Sequence, residues 1–178
     1  MIDLRLAHTA DLDESERRAA RALLYDAFDD MTEADWEHAL GGIHALVREG
    51  TEVVGHASLV MRRVIHRGRA LRAGCVEGVA VRQDRRRRGL GAAMMQGLER
   101  FIRGGYDLGI LGASDQAAAF YAHRGWQAWR GATFALTPQG IVRTADEDDC
   151  IFVFPAHEAV ALDFTGELIC DWRDGDCW

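Results

Sequence analysis

Residues 79–93 read Val-Ala-Val-Arg-Gln-Asp-Arg-Arg-Arg-Arg-Gly-Leu-Gly-Ala-Ala. A strand-like run passes into a basic loop, and the loop into a helix start rich in small residues. That order suits an anion. The first turn of a helix presents unpaired N–H groups and a partial positive charge. Gly89, Gly91, Ala92 and Ala93 let a phosphate approach that backbone. Arg86, Arg87 and Arg88 add positive charge and bidentate donors. Two other phosphate motifs fail. Gly89-Leu90-Gly91 continues Ala92-Ala93-Met94, so the third glycine of GxGxxG is missing. The chain contains no Lys, which excludes a P-loop and a lysine nucleophile. An arginine run is also common as a solvated loop or a nucleic-acid patch. Overall acidity and the lack of interleaved aromatics argue against nucleic acid.

The net charge of −7 conceals a division along the chain. Residues 61–105 carry 12 Arg and 3 acids, whereas residues 1–60 carry 13 acids and 5 Arg. Residues 146–178 carry 10 acids and 1 Arg. One region suits an anion and two suit a cation, although solvated faces would look the same. The 178 residues, 48% hydrophobic, fit one soluble globular domain spanning 1–178. No apolar run approaches the ~20 residues of a membrane span. The start, Met1-Ile2-Asp3-Leu4-Arg5, lacks the pattern of a signal peptide, which makes a cytoplasmic location the expectation. Cys75, Cys150, Cys170 and Cys177 are scattered and predict reduced thiols. His38, His44, His56, His66, His123 and His157 have no metal-ligand spacing, so no metal is expected.

The elements that must position the loop follow from periodicity. Residues 2–6 alternate as a half-buried strand does. Residues 13–28 carry Ala20, Leu23, Leu24 and Ala27 at helical spacing. Thr32 caps a short second helix with Asp35 in its first turn, and Gly41-Gly42 stop it. Strands at 44–47 and 53–60 flank a hairpin signal, Glu49-Gly50-Thr51. A long strand at 71–81 is interrupted by Gly74 and Gly78, residues that often mark a bulge or a close backbone approach. A helix at 89–102 carries the apolar stripe Leu90, Met94, Leu98, Phe101 and Ile102. A short strand at 108–111 precedes a helix capped by Ser114 and running through Tyr121. Strands at 126–129, 133–136, 151–154 and 168–170 complete an α/β chain, with a turn at 137–140.

Arg86-x-x-Gly89-x-Gly91 resembles the pyrophosphate loop, Q/R-x-x-G-x-G/A, of the GNAT acyltransferase superfamily. The order of strand, helix, strand, helix and Tyr121-x-x-x-Gly125-Trp126 strengthens that resemblance. It implies a mixed central sheet splayed between strands four and five, with flanking helices. It also implies acetyl-CoA as co-substrate and no metal or covalent acyl-enzyme. The pantetheine arm would then lie along Val79 and Val81. The pyrophosphate would meet Arg86, Arg87, Arg88, Gly89, Leu90, Gly91 and Ala92, with Ser114 also on the cofactor side.

Further pieces resemble the aminoglycoside 2′-N-acetyltransferases within that superfamily. They include His8-Thr9, Asp35-Trp36-Glu37-His38, Leu40-Gly41-Gly42, Gly55-His56, Val76-Glu77-Gly78-Val79-Ala80-Val81 and Tyr106-Asp107-Leu108-Gly109. The ending Cys170-Asp171-Trp172-Arg173-Asp174-Gly175-Asp176-Cys177-Trp178 matches as well. That resemblance implies Glu77 as the base that relays the amine proton through water, shared with the carboxylate of Trp178. Tyr121 would protonate the departing thiolate, and backbone residues 78–81 would align the thioester. Asp30, Asp35, Gly78, Glu147, Asp176 and Trp178 would contact the aminoglycoside. An acid-lined pocket is the chemistry a polyamine needs. A homodimer is a further implication. Two alternatives stay open: a GNAT enzyme for another cellular amine, and a non-catalytic aminoglycoside-binding protein.

Overall fold

A computed structural model describes residues 2–157 and 160–178. The chain forms two compact units, Met1–Val60 with Val76–Phe101 and Met61–Cys75 with Ile102–Trp178. Two long strands, β3 (Glu52–His66) and β4 (Arg69–Val81), contribute to both.

In the first unit, β1 (Ile2–His8) pairs antiparallel with β2 (Ile43–Glu49), from Ile2 opposite Glu49 to His8 opposite Ile43. β2 pairs antiparallel with β3, and the register shifts between Val47 and Arg48. Helix α1 (Glu14–Ala27) begins with a capping box between Asp13 and Glu16. Glu16 is buried, and Arg5 and Arg48 pair with its carboxylate. Helix α2 (Glu33–His38) has the second capping box, Thr32 with Asp35. Leu12, Ala20, Leu23, Leu24, Trp36, Ala39, Leu46 and Ala80 form one buried cluster. Helix α3 (Leu90–Gly105) buries Met94, Met95 and Leu98.

In the second unit the strand order is β6-β9-β5-β4-β3-β10-β7-β8. The new members are β5 (Leu108–Gly112), β6 (Gln127–Ala128), β7 (Thr133–Thr137), β8 (Gly140–Arg143), β9 (Ile151–Pro155) and β10 (Leu168–Asp171). Helix α4 (Asp115–His123) follows β5. The pairs β4–β5 and β10–β7 are parallel, whereas β5–β9, β6–β9, β3–β10 and β7–β8 are antiparallel. The sheet is therefore mixed, as the resemblance implies. The β4–β5 ladder covers only Ala73–Cys75 against Leu108–Ile110, while β4 runs on to Val81.

Three local expectations are corrected. Gly74 does not interrupt β4, and it lies in register with Gly109 of β5. Ser114 occupies the N-cap of α4, but its side chain makes no capping bond. β3 extends to His66 and turns into β4 through Arg67 and Gly68, both at positive φ (52° and 73°). Two such residues define the tight hairpin turn whose twist matches its strands.

Backbones approach closely in the second unit. A Cβ on Gly131 would stand 1.8 Å from the Gly166 carbonyl oxygen. Gly104, near the end of α3, has nothing within 4 Å of that position. We expect Gly131→Ala to destabilise the protein by about 1–3 kcal/mol. Gly104→Ala should stabilise it by about 0.5–1 kcal/mol. Urea unfolding measures both, and equal effects would contradict the packing described.

Candidate active site

The first unit holds the loop and helix start that the sequence suits to an anion. At the end of β4, Glu77, Gly78 and Val79 are half-buried, and Ala80 enters the core. Gly78 adopts φ +55°, and a Cβ there would lie 2.9 Å from Leu24 Cδ1. Both facts favour glycine. The Glu77 carbonyl accepts from Ser58 Oγ at 3.5 Å. The Gly78 carbonyl lies 2.8 Å from His56 Nδ1.

The arginines after β4 divide into two groups. Arg82 pairs with Glu52 and Asp84 at 2.8 and 2.7 Å. Arg85 pairs with Glu49 and Asp84 at 2.7 and 2.6 Å. These contacts tie the loop to the β2–β3 hairpin. Arg86 donates through Nε to the Val81 carbonyl at 3.0 Å, closing the loop on the strand. Arg87 and Arg88 are exposed and, among the described residues, make no ion pair. Arg87 and Gly89 both have positive φ (61° and 78°), and the first helical bond runs from Ala93 N to Gly89 O at 3.0 Å. The space at Gly89 is open to 4 Å. Two exposed guanidinium groups, Arg88 within electrostatic reach of Glu49, precede an open helix start and fit a diphosphate.

Among the residues expected at the amine, Asp30 is exposed. The Asp35 carboxylate caps α2, accepting from Thr32 N at 2.8 Å and Thr32 Oγ1 at 2.7 Å. The structure thus gives Asp35 a local task that the sequence also announced.

The second unit holds Tyr121, Ser114, Glu147, Asp176 and Trp178. Tyr121 is 6% exposed, among the rings of Phe120, Trp126 and Phe152. Burial pushes its phenol up to about 12, which keeps it protonated at neutral pH. Ser114 is exposed, and its carbonyl accepts from Ala117 and Ala118. Glu147 and Asp176 come together: burial first, then the charges of Asp176 and Asp146, raise the Glu147 carboxyl above its usual range. Trp178 joins them. Its N–H donates to Asp176 Oδ1 at 3.0 Å, and its indole donates to Thr144 Oγ1 at 3.0 Å.

Two arginines that the sequence reading did not select organise this end of the chain. Arg62 is 5% exposed and donates to Asp171 Oδ1 (2.7 Å), the Asp171 carbonyl (2.5 Å) and the Cys177 carbonyl (2.6 Å). Arg173 donates to the Asp176 carbonyl at 2.7 Å and to Trp178 O at 2.6 Å. Arg62 was legible in principle. It lies in phase with the buried Val60, Val64 and His66 along β3, while Met61 and Arg63 face outward. A charged residue on the buried face of a strand needs a partner.

His44 and His56 form a third feature, in the first unit. Both are fully buried, and His44 Nδ1 lies 3.0 Å from His56 Nε2. Burial lowers both: His44 to about 3, with the neighbouring His56 contributing, and His56 to about 4.

A family model for the acetyltransferase (GNAT) domain matches residues 8–129. The chain belongs to the GNAT acetyltransferase family. This acetyltransferase is 48% identical over 177 residues to an aminoglycoside 2′-N-acetyltransferase from Mycolicibacterium fortuitum. The alignment covers 98% of the chain and 91% of that relative. Its fold is similar to that of Escherichia coli YhbS, solved with CoA (TM-score 0.68, 15% identity, 99% of this chain and 94% of that one). An acyl-CoA N-acyltransferase from Pseudomonas aeruginosa is also similar (TM-score 0.62, 17% identity, 86% and 99%). A GCN5-related N-acetyltransferase from Kribbella flavida matches 74% of the chain at 23% identity (TM-score 0.60). The chain spans about a third of that longer protein, the match covering 34% of it. Among the described residues of this acetyltransferase, no group of three His, Cys, Asp or Glu could hold a metal ion. No helix there is long and apolar enough to cross a membrane.

Two outcomes test the geometry. Arg62→Met removes the charged donor from the half-buried Asp171 and Cys177 carbonyls, leaving only the Cys170 thiol on the latter at 3.2 Å, so we expect a loss of about 2 kcal/mol. It should also speed amide exchange at Cys177 and Trp178. Unchanged exchange there would show that Arg62 does not hold the tail. The histidine pair gives a pH dependence with a defined sign. The unfolded chain binds protons below about pH 6.5, whereas the folded pair binds them only near 4 and 3. The contribution of the pair is therefore intact above pH 6.5 and is lost as pH falls toward 4 and then 3, at most about 1.4 kcal/mol per pH unit for each ring. Urea titrations at several pH values should show a shallower acid slope in His56→Asn. An identical slope would place the acid sensitivity elsewhere.

Proposed function

We propose that this enzyme transfers acetyl from acetyl-CoA to the 2′-amine of aminoglycosides. The observation that carries the proposal is the 48% identity, over nearly the whole chain, to a protein that bears that name. The acidic grouping of Glu147 with Asp176 and Asp146 supports it, because a polycationic acceptor needs carboxylates to pair with.

The reading takes residues 1–178 as one acetyltransferase domain. The diphosphate of acetyl-CoA meets Arg86, Arg87, Arg88, Gly89, Leu90, Gly91 and Ala92, and Ser114 contacts the same substrate. The pantetheine arm follows the backbone of Val79 and Val81. Asp30, Asp35, Gly78, Glu147, Asp176 and Trp178 receive the aminoglycoside.

A protonated amine cannot attack a thioester. Glu77 accepts the amine proton through water, aided by the carboxylate of a chain ending at Trp178. The free amine then attacks the thioester carbonyl, and the C–S bond breaks as the C–N bond forms. The phenol of Tyr121, held neutral by burial, gives its proton to the leaving sulfur. Positioning supplies much of the remaining acceleration.

The reading includes a cytoplasmic enzyme that works as a homodimer. The edge strand β8 supports self-association, since Ile141 and Val142 are exposed (57% and 48%).

The discriminating assay follows CoA thiol release with kanamycin B beside kanamycin A, which carry an amine and a hydroxyl at the 2′ position. Release with B alone is expected. Equal release with both would reject 2′ specificity. Release only with other cellular amines would replace the acceptor. Tyr121→Phe should lower kcat about 100- to 10,000-fold with a smaller change in KM. A wild-type kcat in that variant would end the acid assignment.

A further inference from the structure

The buried histidine pair belongs to a longer chain of hydrogen bonds, and its proton positions follow by elimination. His56 Nδ1 lies 2.8 Å from the Gly78 carbonyl oxygen, which can only accept. His56 therefore carries its proton on Nδ1. A fully buried neutral ring then has a lone pair on Nε2. His44 Nδ1, 3.0 Å away, must donate to it. His44 Nε2 is left to accept, and Thr9 Oγ1 lies 2.8 Å from it. Thr9 Oγ1 in turn accepts from the Gly41 N–H at 2.8 Å. The Gly42 carbonyl lies farther from Thr9 Oγ1, at 3.3 Å, so the single hydroxyl proton goes to His44. Reversing the order would require both nitrogens of His56 to carry protons. That cation would be buried without a carboxylate partner in the relay, and burial opposes it.

The relay ends on a residue that needs holding. Gly78 has no Cβ and sits at φ +55°, so its own side chain restrains nothing. A peptide unit is planar and trans, with its carbonyl oxygen and amide hydrogen pointing in opposite directions. A bond that fixes the Gly78 oxygen therefore fixes the direction of the Val79 N–H. Trp36 confines the other side of the relay, its ring 6.2 Å from that of His56.

We propose that His56 is a positioning residue for acyl transfer: through the Thr9–His44–His56 relay it orients the Gly78–Val79 peptide toward the thioester. The proposal rests on the reading that residues 78–81 align acetyl-CoA. It does not depend on which amine accepts the acetyl group. His56 touches neither substrate, and its effect passes through the backbone.

The test uses the full chain and acetyl-CoA labelled with 13C at the thioester carbonyl. The bound carbonyl resonance should shift downfield in the unvaried protein, the signature of a hydrogen bond. His56→Leu removes the donor and should abolish that shift. It should lower kcat 10- to 100-fold, with CoA affinity within about threefold, because the loop at 86–92 is untouched. His56→Asn places an amide N–H near the Nδ1 position and should restore most of both. A carbonyl shift and kcat in His56→Leu equal to the unvaried protein would overturn the proposal. So would equal losses in the Leu and Asn variants, which would mark a packing role only.

Imidazole 15N spectra of the unvaried protein supply a test free of folding effects. Both rings should be neutral with the proton on Nδ1 between pH 5 and 8. A proton on Nε2 of His56 would overturn the relay. If aminoglycosides are not acetylated but the carbonyl shift follows the donor as described, the acceptor assignment fails and the positioning role stands. If acetyl-CoA does not bind, both fail.

Discussion

Gly78 breaks the extended course of β4 where its neighbours crowd the position of a side chain. Leu24 Cδ1 of α1 would stand 2.9 Å from a Cβ there, and φ +55° is a conformation that most residues rarely adopt. The consequences spread in both directions along the strand. Glu77 precedes the break with its carbonyl facing Ser58. Val79 and Val81 follow it, flanking Ala80 in the core. Arg82 then returns to β3 through the Val54 carbonyl, and the basic loop begins. A regular strand would have given each of these residues a different face.

Charge is handled differently in the two units. Near the loop, acids of the β2–β3 hairpin neutralise Arg82 and Arg85 and thereby hold the loop in shape. Arg87 and Arg88 stay exposed, with Arg88 also acting on the Glu49 carboxylate. At the chain end, Arg62 and Arg173 grip backbone carbonyls, while Glu147 and Asp176 stay crowded together. Crowded carboxylates repel, and a bound polycation relieves that repulsion. Folding contacts thus use some charges of each sign and leave others for a ligand.

Much of this was readable in the residues. Thr32 with Asp35 announced the cap of α2, and residues 79–93 announced the order of strand, loop and helix. Gly78 carried the sign of irregular backbone, but Gly74 carried the same sign and is regular. It faces Gly109, whose missing Cβ makes room for Trp126. β8 was invisible because all four of its residues are exposed, so no buried face imposes an alternation. The far half of β3 was hidden by inverted polarity, with Met61 outward and Arg62 inward. The turn at Arg67 lacked a familiar turn residue in its first position. Thr9, His44 and His56 are far apart in sequence, and only the β2–β3 register joins the two rings.

The proposed reaction is acetyl transfer to a single amine of an aminoglycoside. The most direct test is the position of the new acetyl group. Kanamycin B incubated with the enzyme and 13C-acetyl-CoA would be purified and its amide carbonyl correlated to ring protons by NMR. The account predicts one acetamide, on the 2′ nitrogen. Acetylation at another amine, or at several, would contradict it.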